Sequence, residues 1–116
     1  MKEVPEFRYG DKSYDLSFND DFTGIYCVKD KISGVLVSQL IMAANDYVAV
    51  QGFKNFVDKR SEEHDGNVYQ LIKVGDFCLD GVFIAENKKL CLFNSSDDLQ
   101  SFLDSARSFL VSIEED

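Results

Sequence analysis

The chain has no tryptophan, one proline and one histidine among its 116 residues. The proline is Pro5, so a proline-rich low-complexity tract is excluded. No apolar run approaches the ~20 residues that a membrane-spanning helix needs. The stretch from Met1 to Phe7 carries no apolar core of a signal peptide, so we expect a cytosolic protein.

Metal-binding residues are also scarce. Cys27, Cys78 and Cys91 lie in apolar stretches without a Cys-x-x-Cys pair, which favours reduced thiols in a core. A zinc site needs four close ligands, and His64 is the only histidine. Standing among acids, His64 could be a base or a metal ligand, but a solvated loop residue is the commoner case. We expect no metal site and no cofactor.

Positive charge is in short supply, with 12 basic against 21 acidic residues and a net charge of −9. This balance disfavours direct binding to nucleic acid, because affinity for the backbone comes from neutralising phosphates. The short basic clusters are interpreted as solvated surface charge; they are Lys29 with Lys31, Lys54 with Lys59 and Arg60, and Lys88 with Lys89. We expect weak or no direct DNA binding.

What the chain does have is apolar and aromatic content. It is 45% hydrophobic, with ten phenylalanines and five tyrosines spread along its length. A chain of this size is one domain, residues 1–116, and can bury a real core. The spread of aromatics argues against disorder.

The first half of the chain reads as strands followed by a helix. Alternating aromatic and apolar residues on either side of Gly10-Asp11-Lys12 predict a hairpin between Phe7 and Phe18. Gly24–Val28 and Val35–Met42 are predicted strands, with a turn at 29–31 between them. A helix is predicted from about Asp46 to Lys59, capped by Asn45. Its apolar stripe is Ala49, Val50, Phe53, Phe56 and Val57. Gly52 inside it costs ~1 kcal/mol against alanine, which close packing on the sheet would explain.

The second half predicts three strands and a final helix. One strand runs from Val68 to Val74 and ends at Gly75-Asp76, and Gly81–Ala85 pairs with Leu90–Phe93 as a second hairpin. Ser95 is the predicted cap of the last helix. The helical stripe there is Leu99, Phe102, Leu103, Ala106, Phe109, Leu110 and Ile113. The expected fold is α+β: a mostly antiparallel sheet of about five to six strands with two helices on one face.

Motifs of catalysis are missing. The chain has neither a phosphate-binding glycine motif nor a nucleophile elbow. Asp97-Asp98 is explained by the first turn of a helix and Asp20-Asp21 by a loop. Four tyrosines could stack nucleic-acid bases if exposed on one sheet face, although sheet aromatics are more often core residues; they are Tyr9, Tyr14, Tyr26 and Tyr69. We expect that the protein is not an enzyme.

Three blocks of sequence share a pattern. The first is the aromatic strand and charged turn from Ile25 to Lys31. The second is Asn-Asp-x-Val-Ala-hydrophobic-x-x-Phe, matched by Asn45, Asp46, Val48, Ala49, Val50 and Phe53. The third is aromatic-x-Leu-x-x-hydrophobic-Gly-acid-Phe, matched by Tyr69, Leu71, Val74, Gly75, Asp76 and Phe77 and followed by Asp80-Gly81. In this order, over about half the chain, they resemble the small nonstructural protein of gokushoviruses, single-stranded DNA phages of the Microviridae. Two positions depart from the pattern of these proteins. Gln51 stands where arginine is common, and Cys78-Leu79 stands where an acidic residue is expected.

The resemblance implies a non-enzymatic phage protein of the host cytoplasm. Such proteins act in late viral single-stranded DNA synthesis and packaging by engaging the replication complex or the procapsid. The polar residues of the matched blocks are the predicted interaction residues: Asn45, Asp46, Asp76 and Asp80. The partner is expected to be a protein and not a membrane, since acidic surfaces suit protein contacts better than bare DNA.

Two other functions stay open. One is an acidic inhibitor that imitates DNA and binds a host nucleic-acid enzyme, which would need carboxylates spaced like phosphates. The other is a homo-oligomer that pairs through an exposed sheet edge.

Overall fold

The computed structural model describes residues 7–10, 12–16, 22–37, 40–61, 68–78 and 80–115, with the main chain alone for 22, 60–61, 84–90 and 114–115. Within these residues there are six strands and two helices, so the α+β prediction is confirmed. The elements are β1 (Phe7–Tyr9), β2 (Lys12–Tyr14), β3 (Phe22–Asp30), β4 (Ile41–Ala43), α1 (Asp46–Ser61), β5 (Tyr69–Cys78), β6 (Phe83–Asn94) and α2 (Leu99–Glu115). His64 lies outside the described residues.

The strands form two sheets. β1 and β2 make the predicted hairpin, with Gly10 at a φ of 65° in the turn, where glycine carries no steric cost. The other four strands form one sheet in the order β4-β3-β5-β6, and each neighbouring pair is antiparallel. The antiparallel prediction is confirmed, with the six strands divided between two sheets.

The predicted second hairpin is wrong. Phe83 to Asn94 is one strand, β6, and it pairs with β5 on both sides of residues 86–89. The reversal of the chain instead lies between Cys78 and Val82, where Gly81 has a φ of 94° and the Cys78 N–H donates to the Val82 carbonyl at 2.8 Å. The polar run 86–89 does not end the strand: its four residues lie opposite Val74, at the register shift between Lys73 and Gly75.

Residues 38 and 39 of the predicted strand Val35–Met42 lie outside the described residues. In the described part, Leu36 forms an isolated bridge with Lys29 and regular pairing covers Ile41–Ala43. The β3 strand, by contrast, is longer than the predicted Gly24–Val28, because it lies at the centre of the sheet with partners on both sides.

Each helix begins with a side-chain cap. Asn45 caps α1 as predicted, since its Oδ1 accepts the Val48 N–H at 3.0 Å. The cap of α2 is Asp98 and not Ser95: the Asp98 Oδ1 accepts the Ser101 N–H at 3.0 Å. Ser95 still belongs to the sheet, where its hydroxyl accepts the Tyr69 N–H at 2.9 Å. The prediction placed this cap three residues too early because β6 extends to Asn94.

Both predicted helical stripes contribute to one apolar core. Val50, Phe53 and Phe102 are fully buried, and they share a cluster with Val28 and Leu71 of the sheet. Alternation along β3 puts Tyr26 and Val28 on this helix side and Ile25 and Cys27 on the opposite side. The opposite side of the sheet is called the helix-free face below.

The α2 helix is held by aromatic rings. Phe102 lies at 4.8 Å from both Tyr14 and Phe93, measured between ring centroids, and at 5.4 Å from Tyr9 and 5.9 Å from Phe7. The β1-β2 hairpin therefore closes over α2, while Phe93 links the same helix to the four-stranded sheet. No helix in the described ranges is long and apolar enough to cross a membrane.

The explanation expected for Gly52 is wrong. This residue is exposed on α1, and a Cβ added there would meet nothing within 4 Å. Close packing on the sheet does not require glycine at this position.

Candidate functional site

The predicted residues Asn45 and Asp46 lie inside the protein, with 1% and 3% of their surfaces exposed. They occupy the start of α1, where the chain passes the end of the β1-β2 hairpin. Asn45 donates from Nδ2 to the Leu16 carbonyl at 3.2 Å while its Oδ1 caps the helix. Both ends of the Asn45 side chain are therefore used within the fold.

Asp46 joins three segments of the chain. Its Oδ1 accepts the Tyr26 hydroxyl proton at 2.7 Å, and its Oδ2 accepts the Asp15 N–H at 2.8 Å. The Asp46 N–H in turn donates to the Asp15 carbonyl at 2.8 Å. One side chain thus fixes the start of α1 to β3 and to the segment that follows β2.

A buried lysine completes this arrangement. The Lys73 Nζ lies 3.9 Å from Asp46 Oδ1 and 3.7 Å from Asp76 Oδ1, and 5.9 Å from the centre of the Tyr26 ring. A buried ammonium needs such partners, because taking a charge out of water is costly. Tyr26, Asp46, Lys73 and Asp76 are together called the Asp46 cluster.

A bulge in β5 is what makes the cluster possible. Residues 73 and 76 of a regular strand would point to opposite faces. Here Tyr26 pairs with Lys73 and Ile25 pairs with Gly75, so Val74 is an extra residue in β5. The shift brings Lys73 and Asp76 to the same face. The predicted strand end at Gly75-Asp76 is therefore wrong, since β5 continues to Cys78.

Gly24 gives the Tyr26 ring its place. A Cβ at position 24 would lie 2.6 Å from the Tyr26 Cε1 and from its hydroxyl oxygen. The ring thus lies along the strand over Gly24, and its hydroxyl reaches Asp46. Any side chain at position 24 would displace the ring and break this hydrogen bond.

Burial dominates the electrostatics of the cluster. Desolvation raises the pKa of Asp46, opposed by the hydrogen bonds from Tyr26 and Asp15 and by the charge of Lys73. Desolvation and the neighbouring Asp46 carboxylate raise the pKa of Tyr26 far above its usual range, so the phenol keeps its proton. Tyr26 is a permanent hydrogen-bond donor to Asp46.

The cluster acts as an anchor. Among the described residues, no buried side-chain nitrogen or oxygen lacks a hydrogen-bond partner. The side chains of Asn45 and Asp46 are thereby given structural roles, in contrast to the partner contacts expected for them. Asp76 remains partly accessible, with 33% of its side chain exposed.

The fourth predicted residue, Asp80, has a different role from the other three. It is exposed in the turn between β5 and β6, and its Oδ1 accepts the Val82 N–H at 3.2 Å. The structure thus brings Asp46 and Asp76 to one lysine but leaves Asp80 in a turn.

Sequence reasoning missed Lys73 and Asp15 and treated Tyr26 only as a strand residue or a stacking aromatic. Tyr14, Tyr26 and Tyr69 are at most 5% exposed, so base stacking on these three rings is ruled out in this conformation. The Gly24-x-Tyr26 spacing was the one local signal for the ring position.

Other ligand sites are few in the described part of the chain. No group of three or more metal-ligating side chains occurs there. A groove of about 420 Å³ lies between α1 and α2, lined by Gln51, Lys54 and Arg107 among others. Lys54 is already paired with Asp58 at 2.7 Å, which leaves Arg107 as the other cation of this groove.

Five exposed apolar side chains lie between Ile32 and Met42, in the turn after β3 and along the edge of the sheet. Their exposed fractions are 77% for Ile32, 59% for Val35, 56% for Leu36, 63% for Leu40 and 62% for Met42. Leu36 is paired with Lys29 and Met42 with Ile25, which puts both on the helix-free face. These five residues are called the β4 edge surface.

Comparisons of the chain with protein-family models, with curated proteins and with solved structures give no match. The resemblance of the three sequence blocks to a phage family therefore stays a prediction.

Proposed function

We propose that this chain is a non-enzymatic phage protein that acts in late viral single-stranded DNA synthesis and packaging by binding a protein of the replication complex or the procapsid. The observation that carries the binding role is the β4 edge surface. Five large apolar side chains within eleven residues are more than half exposed, and a concentration of exposed apolar side chains marks interaction sites.

The position of this surface supports the proposal. The core cluster contains none of these five residues, so their exposed side chains are not needed to hold α1 or α2. They follow the first matched block and precede the second. The Asp46 cluster anchors the start of α1 just after β4, and a rigid support lowers the entropic cost of binding.

The alternative of a DNA mimic needs a row of free carboxylates. The exposed acids near α2 have local roles: Asp97 accepts the Asn94 N–H at 2.7 Å, Asp98 caps the helix, and Asp104 accepts from Gln100 at 2.9 Å. These hydrogen bonds account for the presence of the three acidic residues without requiring that they bind a nucleic-acid enzyme.

The test replaces Leu40 and Met42 with glutamine in a phage that carries this gene. Packaged single-stranded DNA per infected cell should fall at least about tenfold, the effect of losing ~1.4 kcal/mol of binding. The matched control is Val111→Gln, since Val111 is an apolar residue of α2 with 46% exposure. Equal packaging by both variants, with equal amounts of folded protein, would reject the proposal.

Direct DNA binding is the second measurement. With a net charge of −9, the purified protein should bind single-stranded DNA weakly and lose that binding as salt is raised. Tight binding that persists at high salt would replace protein binding by DNA binding as the proposed role. Turnover of any substrate would contradict the non-enzymatic assignment.

A further inference from the structure

We infer that the groove between α1 and α2 binds a short extended segment of a partner protein. The groove holds the main chain of the segment, and Arg107 holds one of its aspartate or glutamate carboxylates. This site goes beyond the proposed function, because the groove shares no residue with the β4 edge surface.

The groove is a concave site with a helix on either side. Its volume is about 420 Å³, which lies within the ~300–1,000 Å³ range of ligand-binding pockets. Leu103 of α2 lines it and shares one core cluster with Phe53 of α1, so the two walls are fixed to each other before a ligand arrives. The polar lining recurs at helical spacing on each wall; it includes Gln51, Lys54 and Asn55 on α1, and Gln100, Asp104 and Arg107 on α2.

The carboxamides on α1 suit a peptide main chain. Gln51 and Asn55 are exposed, and neither side chain has a hydrogen-bond partner in the part of the chain that the structure describes. A carboxamide both donates and accepts, as the N–H and C=O groups of a peptide require. Side chains four residues apart on a helix are separated by ~6 Å along its axis, and an extended chain repeats every two residues, ~6.6 Å. The two amides therefore match successive peptide groups on one side of an extended segment.

Arg107 supplies a free cation on the opposite wall. It is exposed and forms no ion pair among the described residues, although Asp104 precedes it by three positions. The Asp104 carboxylate instead accepts a hydrogen bond from the Gln100 Nε2 at 2.9 Å. Lys54 on the facing helix is already neutralised by Asp58 at 2.7 Å. The guanidinium group matches the two oxygens of a carboxylate with parallel N–H donors, so Arg107 is the group that holds an acidic side chain.

The local charge favours a single carboxylate over a nucleic acid. Asp58 and Asp104 lie close to the two cations of the groove, so acids and bases balance there. A nucleic-acid strand binds by having several phosphates neutralised, and this groove has one unpaired cation for that purpose. More distant charges of the acidic chain are screened beyond ~8 Å at physiological salt. A peptide with one acidic residue therefore fits the groove better than a polyanion does.

The probe is a synthetic six-residue peptide with blocked ends, in which alanine and serine surround one central glutamate. Its binding to the full chain is followed by NMR, in which the side-chain amides and the arginine Nε–H give separate signals. We expect saturable shifts of the Gln51 and Asn55 amides and of the Arg107 Nε–H. A peptide with glutamine in place of glutamate should bind about tenfold more weakly, because the charge-assisted pair is lost. N-methylation of alternate peptide amides should weaken binding while keeping every side chain.

Variants of the protein assign the two contributions. Arg107→Gln should bind the glutamate and glutamine peptides equally. Arg8→Gln is the matched control, since Arg8 is an exposed arginine of β1 outside the groove, and it should keep the preference for glutamate. Gln51→Ala with Asn55→Ala should weaken both peptides alike and keep the preference. The changed side chains are exposed, so each variant should fold, which thermal unfolding checks.

Several results would overturn the inference. One is the absence of saturable shifts in the groove up to ~10 mM peptide. Others are equal binding of the glutamate and glutamine peptides to the wild type, and a preference that survives Arg107→Gln. Tighter binding of a thymidine oligonucleotide or of a phosphoserine peptide in the groove would identify a phosphate ligand instead. Dimerisation that competes with the peptide would identify a second copy of the chain as the occupant.

The packaging test and the peptide test fail independently. The packaging variants change Leu40 and Met42, which lie outside the groove, and the peptide test uses purified protein with those residues intact. Peptide binding with unaffected packaging would keep the groove as a binding site and reject the proposed function. Reduced packaging without peptide binding would do the reverse.

Discussion

The two helices are fastened to the rest of the molecule by different chemistry. The α2 helix inserts Phe102 among the rings of Tyr9, Tyr14 and Phe93. The start of α1 is tied by the Asp46 cluster, in which a buried carboxylate meets a phenol and an ammonium. Apolar packing is tolerant of direction and insensitive to pH, whereas the polar cluster sets a defined orientation and contains groups that titrate.

The largest expected effect is the loss of the aromatic anchor. Phe102→Ala should lower the free energy of unfolding by ~3–5 kcal/mol, because the ring is fully buried and its loss leaves a cavity. Urea unfolding followed by circular dichroism measures it. Phe83→Ala is the control, since that ring is 46% exposed. Similar losses for the two variants would contradict the central place given to Phe102.

The polar anchor should follow closely. Asp46→Ala should cost about 3 kcal/mol, because it leaves the Tyr26 hydroxyl and the Asp15 N–H without an acceptor and Lys73 with one carboxylate. Asp58→Ala removes an exposed carboxylate from a lysine pair and should cost at most about 0.5 kcal/mol. If both variants lose equally little in urea unfolding, the cluster does not hold α1.

A smaller, pH-dependent effect should separate the two anchors. Burial raises the pKa of Asp46 above its ordinary value of 3.8, so the folded protein binds this proton more readily than the unfolded chain does. The contribution of Asp46 to stability therefore rises as pH falls through its folded-state pKa toward 3.8. Most carboxylates with depressed pKa values behave in the opposite way.

The measurement uses Asp46→Asn as a reference that cannot titrate at this position. The melting temperature of the wild type minus that of Asp46→Asn should increase between pH 7 and about 4. For Phe102→Leu the corresponding difference should stay flat. A difference for Asp46→Asn that shrinks on acidification would mean that Lys73 and the hydrogen bonds outweigh burial.

The smallest expected effect is a gain in stability. Gly52→Ala should raise the free energy of unfolding by up to ~1 kcal/mol, because alanine favours the helix and the new Cβ meets no neighbour. Thermal unfolding checks the sign. A loss of stability would show that Gly52 has a role that the monomer does not reveal.

Much of the fold was predictable from local pattern. Asn45 predicts the start of a helix, and the apolar stripes through Phe53 and Phe102 repeat at helical spacing. Both helices can therefore be predicted from residues close together in the sequence. The hairpin around Gly10 follows from alternation and turn chemistry. Such signals need no knowledge of distant parts of the chain.

The Asp46 cluster was not predictable in the same way. Its geometry depends on the extra residue Val74, and a bulge reverses the face that every later side chain occupies. Asp46 and Asp76 were named from the matched blocks. Nothing in the sequence around Lys73, which lies in a mostly apolar strand, indicates that its ammonium group would lie between them. The prediction of the second hairpin was wrong because the residues on both sides of the polar run 86–89 pair with the preceding strand β5 and not with each other.

The strand order has a consequence for how the chain folds. β5 and β6 are neighbours in sequence, so they can pair starting from the turn at Gly81. β3 and β5 are separated by β4 and α1, so their pairing must close a long loop. Closing this loop costs conformational entropy before the hydrogen bonds between β3 and β5 form and compensate for that cost. We expect the meeting of β3 with β5 to limit the folding rate, so the newly made chain passes through a stage with a formed carboxyl-terminal hairpin and an unpaired β3.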